Sequence, residues 1–271
     1  MHSRATVAEA LKLRDEESLG AVLVARRLGL SVGTVRDWFA GKLPKHSRGH
    51  LAGDLVPGAC AACGHDEHQF AELPRAYVYL LGLYLGDGCI SAHRREVYRL
   101  RIFLDLRYPE IVEECATAMS EVMPPNRVNR LERDGSYVDD GKPSNVEISV
   151  FSKSWPCLFP QHGPGKKHTR RIWLSEWQQE LAERWPEELI RGLIHSDGYR
   201  FINTGRGGWR HPRYAFSNLS TDLTSIFCTA CDCLGVRWTA AFPKHESKAV
   251  TIYVSRKADV AQMDEFIGPK R

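Results

Sequence analysis

An α+β fold made of two copies of one αββαββα unit, related by a pseudo-twofold axis and preceded by a small all-α domain, is what this sequence predicts. Three observations carry that prediction. Leu80-Leu-Gly-Leu-Tyr-Leu-Gly-Asp-Gly88 returns as Ile190-Arg-Gly-Leu-Ile-His-Ser-Asp-Gly198, an offset of 110 residues. Val146-Glu-Ile-Ser-Val-Phe-Ser-Lys153 returns as Val250-Thr-Ile-Tyr-Val-Ser-Arg-Lys257, and both alternate like a strand running into a helix. Ahead of both copies, residues 5–43 have a helical pattern that stops at Gly41-Lys-Leu-Pro44. The domains expected are therefore 1–45, all-α; 46–73, a linker; 74–185, the first repeat with a connecting helix over about 174–184; and 186–271, the second repeat.

Within the first repeat the strands are expected near 89–93, 97–105, 128–133 and 146–151, and in the second near 199–203, 214–217, 236–242 and 250–254. The chain is 271 residues long with 43% hydrophobic and 26% charged residues, which excludes a disordered polymer. Its longest apolar run, 76–85, is far below the ~18 residues of a membrane span, and the amino terminus lacks an apolar signal segment. A cytoplasmic protein with no membrane association is expected.

The net charge is only +4, but the charge is segregated. Residues 1–50 carry nine Lys/Arg against five Asp/Glu, and the remainder balances. Acidic residues such as Glu110, Glu113, Glu114, Glu180 and Glu183 fall on predicted helices. Arg94, Arg99, Arg101, Arg200 and Arg213 fall on predicted strands and loops. If those strands share one sheet, its open face is basic and its helical back acidic, the footprint of a nucleic-acid-binding surface.

The centre of the amino-terminal block, residues 22–38, has the layout of a helix-turn-helix. Leu23, Ala25 and Leu28 pack the first helix, Gly29 supplies a left-handed turn, and Ser31 caps a second helix carrying Val35 and Trp38. Ser31, Thr34 and Arg36 then face a DNA groove. A plain helical hairpin is the alternative. In the linker, Cys60, Cys63, His65 and His68 offer four ligands within nine residues, enough for a structural Zn²⁺ site, with His46 or His50 as substitutes. An exposed loop with incidental cysteines is the competing reading. Cys228, Cys231 and Cys233 lie on a predicted helix over 221–234 and read as small core residues.

Gly82 and Gly86 in the first motif, and Gly192 and Ser196 in the second, put two small residues four apart on one helix face. Two such faces can approach closely, because few Cβ atoms intervene. Asp87 and Asp197 end those helices, each before a glycine that can turn the chain into a strand, so close packing brings two carboxylates together beside the basic sheet. Paired carboxylates repel unless a divalent cation lies between them, and such a site suits phosphodiester hydrolysis. Turn-capping aspartates on a buried helix pair are the alternative.

This pair of motifs resembles the signature of the LAGLIDADG homing endonucleases in their single-chain, two-motif form, over roughly residues 74–271. The resemblance implies a saddle-shaped sheet surface in the major groove of double-stranded DNA and motif helices at the repeat interface. It also implies Mg²⁺ or Mn²⁺ on Asp87 and Asp197, with the carbonyls of Gly86 and Ser196 as further ligands. The sixth motif position, acidic in many members, is Leu85 and His195 here. Members also place a lysine after the last helix of each repeat, which maps onto Lys166, with Lys167 as its alternative, and onto Lys270. The expectation is a sequence-specific, metal-dependent DNA endonuclease acting as a nucleoid-associated monomer through its internal pseudo-symmetry. The alternative is a transcription regulator on the same scaffold that binds DNA without cutting it.

Overall fold

The computed structural model describes residues 4–43, 60, 68–134, 143–163, 165, 167–205, 207–242, 249–268 and 270. The chain divides into two compact units, one of residues 1–68 with 92–97 and one of 69–91 with 98–271. Among the described residues no helix is long and apolar enough to cross a membrane.

The first unit is built on three helices, α1 (Arg4–Glu17), α2 (Ala21–Leu28) and α3 (Val32–Phe39). Gly29 ends α2 in the left-handed region, φ +64°, and its N–H bonds back to Ala25 O. Ser31 then caps α3 by accepting from the Thr34 N–H at 3.1 Å. Val7, Ala10 and Leu11 of α1 close a core with Val24, Ala25, Val35 and Trp38. Leu23, expected in that core, is 51% exposed, and Val24 is buried in its stead. Successive helical residues are rotated by about 100°, so a stripe through 21, 24, 25 and 28 leaves 23 outside it.

The second unit begins with α4 (Arg75–Asp87), β1 (Gly88–Ala92), β2 (Tyr98–Asp105), α5 (Pro109–Val122), β3 (Asn129–Asp134), β4 (Pro143–Ser152) and the single turn α6 (Trp155–Leu158). The connecting helix α7 (Glu176–Arg184) follows. The second repeat then runs α8 (Pro186–Asp197), β5 (Gly198–Thr204), β6 (Arg210–Asn218), α9 (Thr221–Cys233), β7 (Thr239–Ala241), β8 (Val250–Val254) and α10 (Lys257–Phe266). The duplicated αββαββα order is present, but the strands form two four-stranded sheets, β1-β2-β4-β3 and β5-β6-β8-β7, rather than one. Each repeat satisfies its strands internally, so none is left to bridge the halves. On α9, Cys228 and Cys231 are buried as expected, whereas Cys233 is exposed.

Alternation assigns the faces. Leu100, Ile102, Val146, Ile148 and Val150 face the helices, as do Tyr214, Phe216, Ile252 and Val254 in the second sheet, and together they line one continuous core. Inside it, α4 is buried from Tyr77 to Leu85 with no polar face, as befits a helix covered on every side. The helix that covers it most closely is α8. A Cβ placed on Gly82 would lie 2.7 Å from Leu189 O and 2.8 Å from Gly192 Cα, and one on Gly192 would lie 2.9 Å from Gly82 Cα. These neighbours are backbone atoms and have no rotamer through which to yield.

Gly192→Ala is therefore expected to lower the unfolding free energy by about 1–3 kcal/mol, the usual cost of overpacking. At an ordinary helical site the same change adds up to about 1 kcal/mol. Urea titration gives the sign, and a stabilised variant would disprove the close approach.

Candidate active site

The crossing of α4 and α8 brings their carboxyl-terminal ends together. Ser196 takes the place of a glycine on the α8 face and folds its hydroxyl back onto its own helix, between Gly192 O at 3.1 Å and Leu193 O at 3.0 Å. Gly86 lies against that side chain, and a Cβ there would also come to 3.0 Å from Asp197 Oδ2. The second carboxylate thus overlies the residue preceding Asp87. The glycines after the aspartates turn the chain into a strand as expected, Gly88 (φ −89°) and Gly198 (φ −103°) opening β1 and β5 in an extended conformation. Space explains them: a Cβ on Gly88 would meet Tyr84 Cα at 2.6 Å, and one on Gly198 would meet Ile194 Cα at 2.7 Å.

The Asp87 side chain is exposed along one edge, yet the mass of both repeats limits its hydration. That loss, followed by the charge of Asp197, pushes its pKa up to about 6 against the partial relief of Lys167 and Lys270. Burial also raises Asp197, but Lys167 and a hydrogen bond from Asn218 Nδ2 to Oδ2, at 2.7 Å, hold it down. Asn218 was not visible in the sequence, because the repeat offers no counterpart. The pairs Leu104–Val146 and Asn218–Val250 are equivalent in register, so the first repeat has a buried leucine at that place.

Two lysines complete the cluster. Lys167 Nζ donates to Tyr84 O and, at 2.8 Å, to Gly86 O. Lys270 Nζ reaches Ile194 O at 3.4 Å, Ser196 O at 3.3 Å and Gly198 O at 3.1 Å. Desolvation lowers the Lys167 pKa to about 8 and lowers that of Lys270, with both aspartates opposing the shift. Of the two candidates after the first repeat, Lys167 is at the site; Lys166 lies outside the described residues. His195, at the sixth motif position, is buried between Tyr79 Oη (2.9 Å) and Ile267 O (3.4 Å). Burial, then Arg191, pushes its pKa down to about 4, so it is a neutral core residue.

Around this centre, Arg99 and Arg101 share the open face of the first sheet with Ser149 and Phe151, their cross-strand partners. Arg213 is on the open face of the second sheet opposite Phe201. Arg94, which belongs to the first unit, is exposed. Arg200 departs from expectation. It pairs with Tyr214 on the helical face, and its guanidinium is committed to Asp264 of α10 at 2.8 Å. The first unit carries Ser31 and Arg36 exposed and Thr34 half-buried. Of the expected zinc ligands, Cys60 and His68 have ligand atoms within 4.8 Å, whereas Cys63 and His65 lie outside the described residues.

Two αββαββα repeats meet along motif helices that each end in one aspartate. The fold is of the LAGLIDADG type. No protein-family model and no curated protein matches the chain. Among solved structures, I-DmoI in complex with DNA and Mn aligns at 16% identity over 75% of this chain and 99% of its own, with a TM-score of 0.47. The N-terminal LAGLIDADG domain of WhiA aligns at 12% identity over 75% of this chain and 88% of its own, TM-score 0.44. Full-length WhiA from Thermatoga maritima aligns at 12% over 75% of this chain and 60% of its own, TM-score 0.45. At the ends of α4 and α8 the available donors are two carboxylates and two main-chain carbonyls, all hard oxygens that suit a divalent cation such as Mg²⁺ or Mn²⁺.

The pH dependence of cation binding follows from Asp87. Its pKa rises from 3.8 to about 6 on folding, so between those values the folded chain holds a proton where a cation needs an anionic oxygen. Mn²⁺ affinity of the DNA-free protein, read by titration, is expected to fall about tenfold per pH unit below 6 and to level off above it. A flat profile from pH 5 to 7 would show that Asp87 is already ionised.

Proposed function

We propose that the chain is a sequence-specific double-stranded DNA endonuclease that uses Mg²⁺ or Mn²⁺ and acts as a monomer, its two repeats serving as pseudo-symmetric halves. The observation that carries this reading is the cluster of Asp87 and Asp197 side by side with Lys167 and Lys270 flanking them. A duplicated duplex-binding surface fits a substrate that is itself nearly twofold. Asp87 and Asp197 hold the cation, with the Gly86 and Ser196 carbonyls in reach, and Asn218 orients the Asp197 carboxylate. A bound divalent cation supplies a Lewis acid for phosphodiester hydrolysis. As water adds to phosphorus and the bridging P–O bond breaks, the ammonium groups of Lys167 and Lys270 stabilise the growing phosphate charge. Ser31, Thr34 and Arg36 of the first unit add duplex affinity.

A second reading, DNA binding without cleavage, is favoured by one observation. Both lysine ammonium groups already cap the carbonyls of Gly86 and Ser196 that a cation would use. The experiment that separates the two is digestion of a randomised plasmid library with Mg²⁺ or Mn²⁺. Cutting at long, rare sites is expected. Asp87→Asn and Asp197→Asn should bind those sites and cut them at least about 100-fold more slowly. Tight binding with no cutting of any recovered site would leave the regulator as the surviving reading.

For the amino-terminal linker we propose a structural Zn²⁺ on Cys60 and His68, with Cys63 and His65 as the remaining candidates. Elemental analysis of freshly purified protein is expected to give one zinc per chain, with a marked loss in Cys60→Ala. Zinc-free protein of unchanged thermal stability would dismiss the site.

A further inference from the structure

The two open sheet faces are built from the same repeat but carry different side chains at most of their matched places. On the first, Arg101 pairs with Ser149 and Phe103 with Glu147. The equivalent pairs on the second are Ala215 with Tyr253 and Ser217 with Thr251. At these matched places the charged Arg101 and Glu147 give way to Ala215 and Thr251, and Ser149 gives way to the ring of Tyr253.

Glu147 organises the first face. It is fully buried, and Arg99 at 2.5 Å and Arg133 at 2.8 Å neutralise it. Arg99 also donates through Nε and Nη2 to Ser149 Oγ, at 3.2 and 2.9 Å, and lies 5.2 Å above the Phe151 ring. Arg101 stacks 5.7 Å above Phe103. Among the described residues, the hydrogen bonds of Arg99 and Arg133 use only Nε and Nη2, so each fork keeps donors for a ligand. Guanidinium groups pinned in this way suit the paired acceptors O6 and N7 of guanine.

The second face carries a ring cluster. Tyr199 and Phe201 lie 5.4 Å apart, and Phe201 lies 6.4 Å from Tyr253. Between the strands that bear them, Ala215 is 1% exposed, whereas Tyr199 is 43% exposed. Ser217 and Thr251 bond to each other through their hydroxyls at 2.6 Å and add no charge. Arg213, opposite Phe201, supplies the positive charge that complements a phosphate backbone. In a major groove, the base feature that such an apolar surface prefers is the thymine methyl group.

We propose that the two sheets read the halves of one duplex site by different codes. The first sheet selects guanine through Arg99 and Arg133, held on Glu147, and through Arg101, stacked on Phe103; the second selects thymine methyls through Tyr199, Phe201 and Tyr253. This rests on the duplex-binding reading above. Glu147 is a positioning residue whose role is to fix the plane of two arginines.

The test uses the full-length chain, duplexes selected from a random library, and binding measured without added divalent ions. A site with one guanine-bearing half and one thymine-bearing half is expected. Replacing thymine by uracil in the second half should weaken binding about fourfold for each buried methyl lost. Replacing guanine by 7-deazaguanine in the first half should weaken it about fivefold or more. Arg101→Ala should abolish only the guanine preference, and Tyr253→Ser only the uracil penalty. Because both base analogues are read with the unaltered protein, a variant that fails to fold leaves those outcomes intact. Two halves of like composition, or affinities unchanged by both analogues, would overturn the divided code while leaving duplex binding standing. Failure to retain any duplex would instead remove the function on which it rests.

Discussion

The contact between α4 and α8 sets the conditions for everything around it. Gly82 and Gly192 let two backbones touch, and both helices then end at the same place, where each contributes roughly half a negative charge from its unpaired carbonyls as well as a carboxylate. Negative charge of that density would drive the helix ends apart. Lys167 and Lys270 counter it on site: one takes the carbonyls of Tyr84 and Gly86, the other those of Ile194, Ser196 and Gly198. The lysines thus have a structural role before any substrate arrives. Their depressed pKa values show the cost of holding them there, since burial acts against the ammonium even beside two aspartates.

The motif pair was legible because close packing restricts composition at fixed spacing, and that restriction survives when nearly everything else in the repeat has changed. The strands were legible to within a few residues for a similar reason, their alternation being enforced by one shared core. Features that depend on rotation about a turn were not. Lys167 reaches the helix end just after Gly165, which takes φ +78°, and no pattern in the sequence fixes that rotation. The face of Arg200 was lost because β5 carries large side chains on both sides: Tyr199 and Phe201 occupy one and Arg200 the other, so alternation of apolar and polar residues gives no phase. Only the cross-strand partner, Tyr214 beside Asp264, decides it.

Duplication fixes the frame, and single substitutions then make the halves unequal at the centre. Asn218 stands where the first repeat has Leu104, so Asp197 has an amide donor at a place where the first repeat has an apolar side chain. Ser196 stands where the first repeat has Gly86, and the close approach survives because only one partner needs to lack a Cβ at that crossing. His195 stands where the first repeat has Leu85; its burial is tolerable because Tyr79 and the Ile267 carbonyl serve both ring nitrogens and the ring stays uncharged.

These differences converge on how the two carboxylates ionise. Two adjacent acids in a partly desolvated site cannot both ionise without cost, and the one with better hydrogen bonding ionises first. Lys167 and then the Asn218 hydrogen bond favour the Asp197 carboxylate, and the charge of Asp197 is itself the second cause of the raised pKa of Asp87. In the proposed metal site, a cation entering such a pair would meet one oriented carboxylate and one whose raised pKa opposes its ionisation. On the proposed reading the second repeat would therefore provide the oriented ligand and the first the one that titrates.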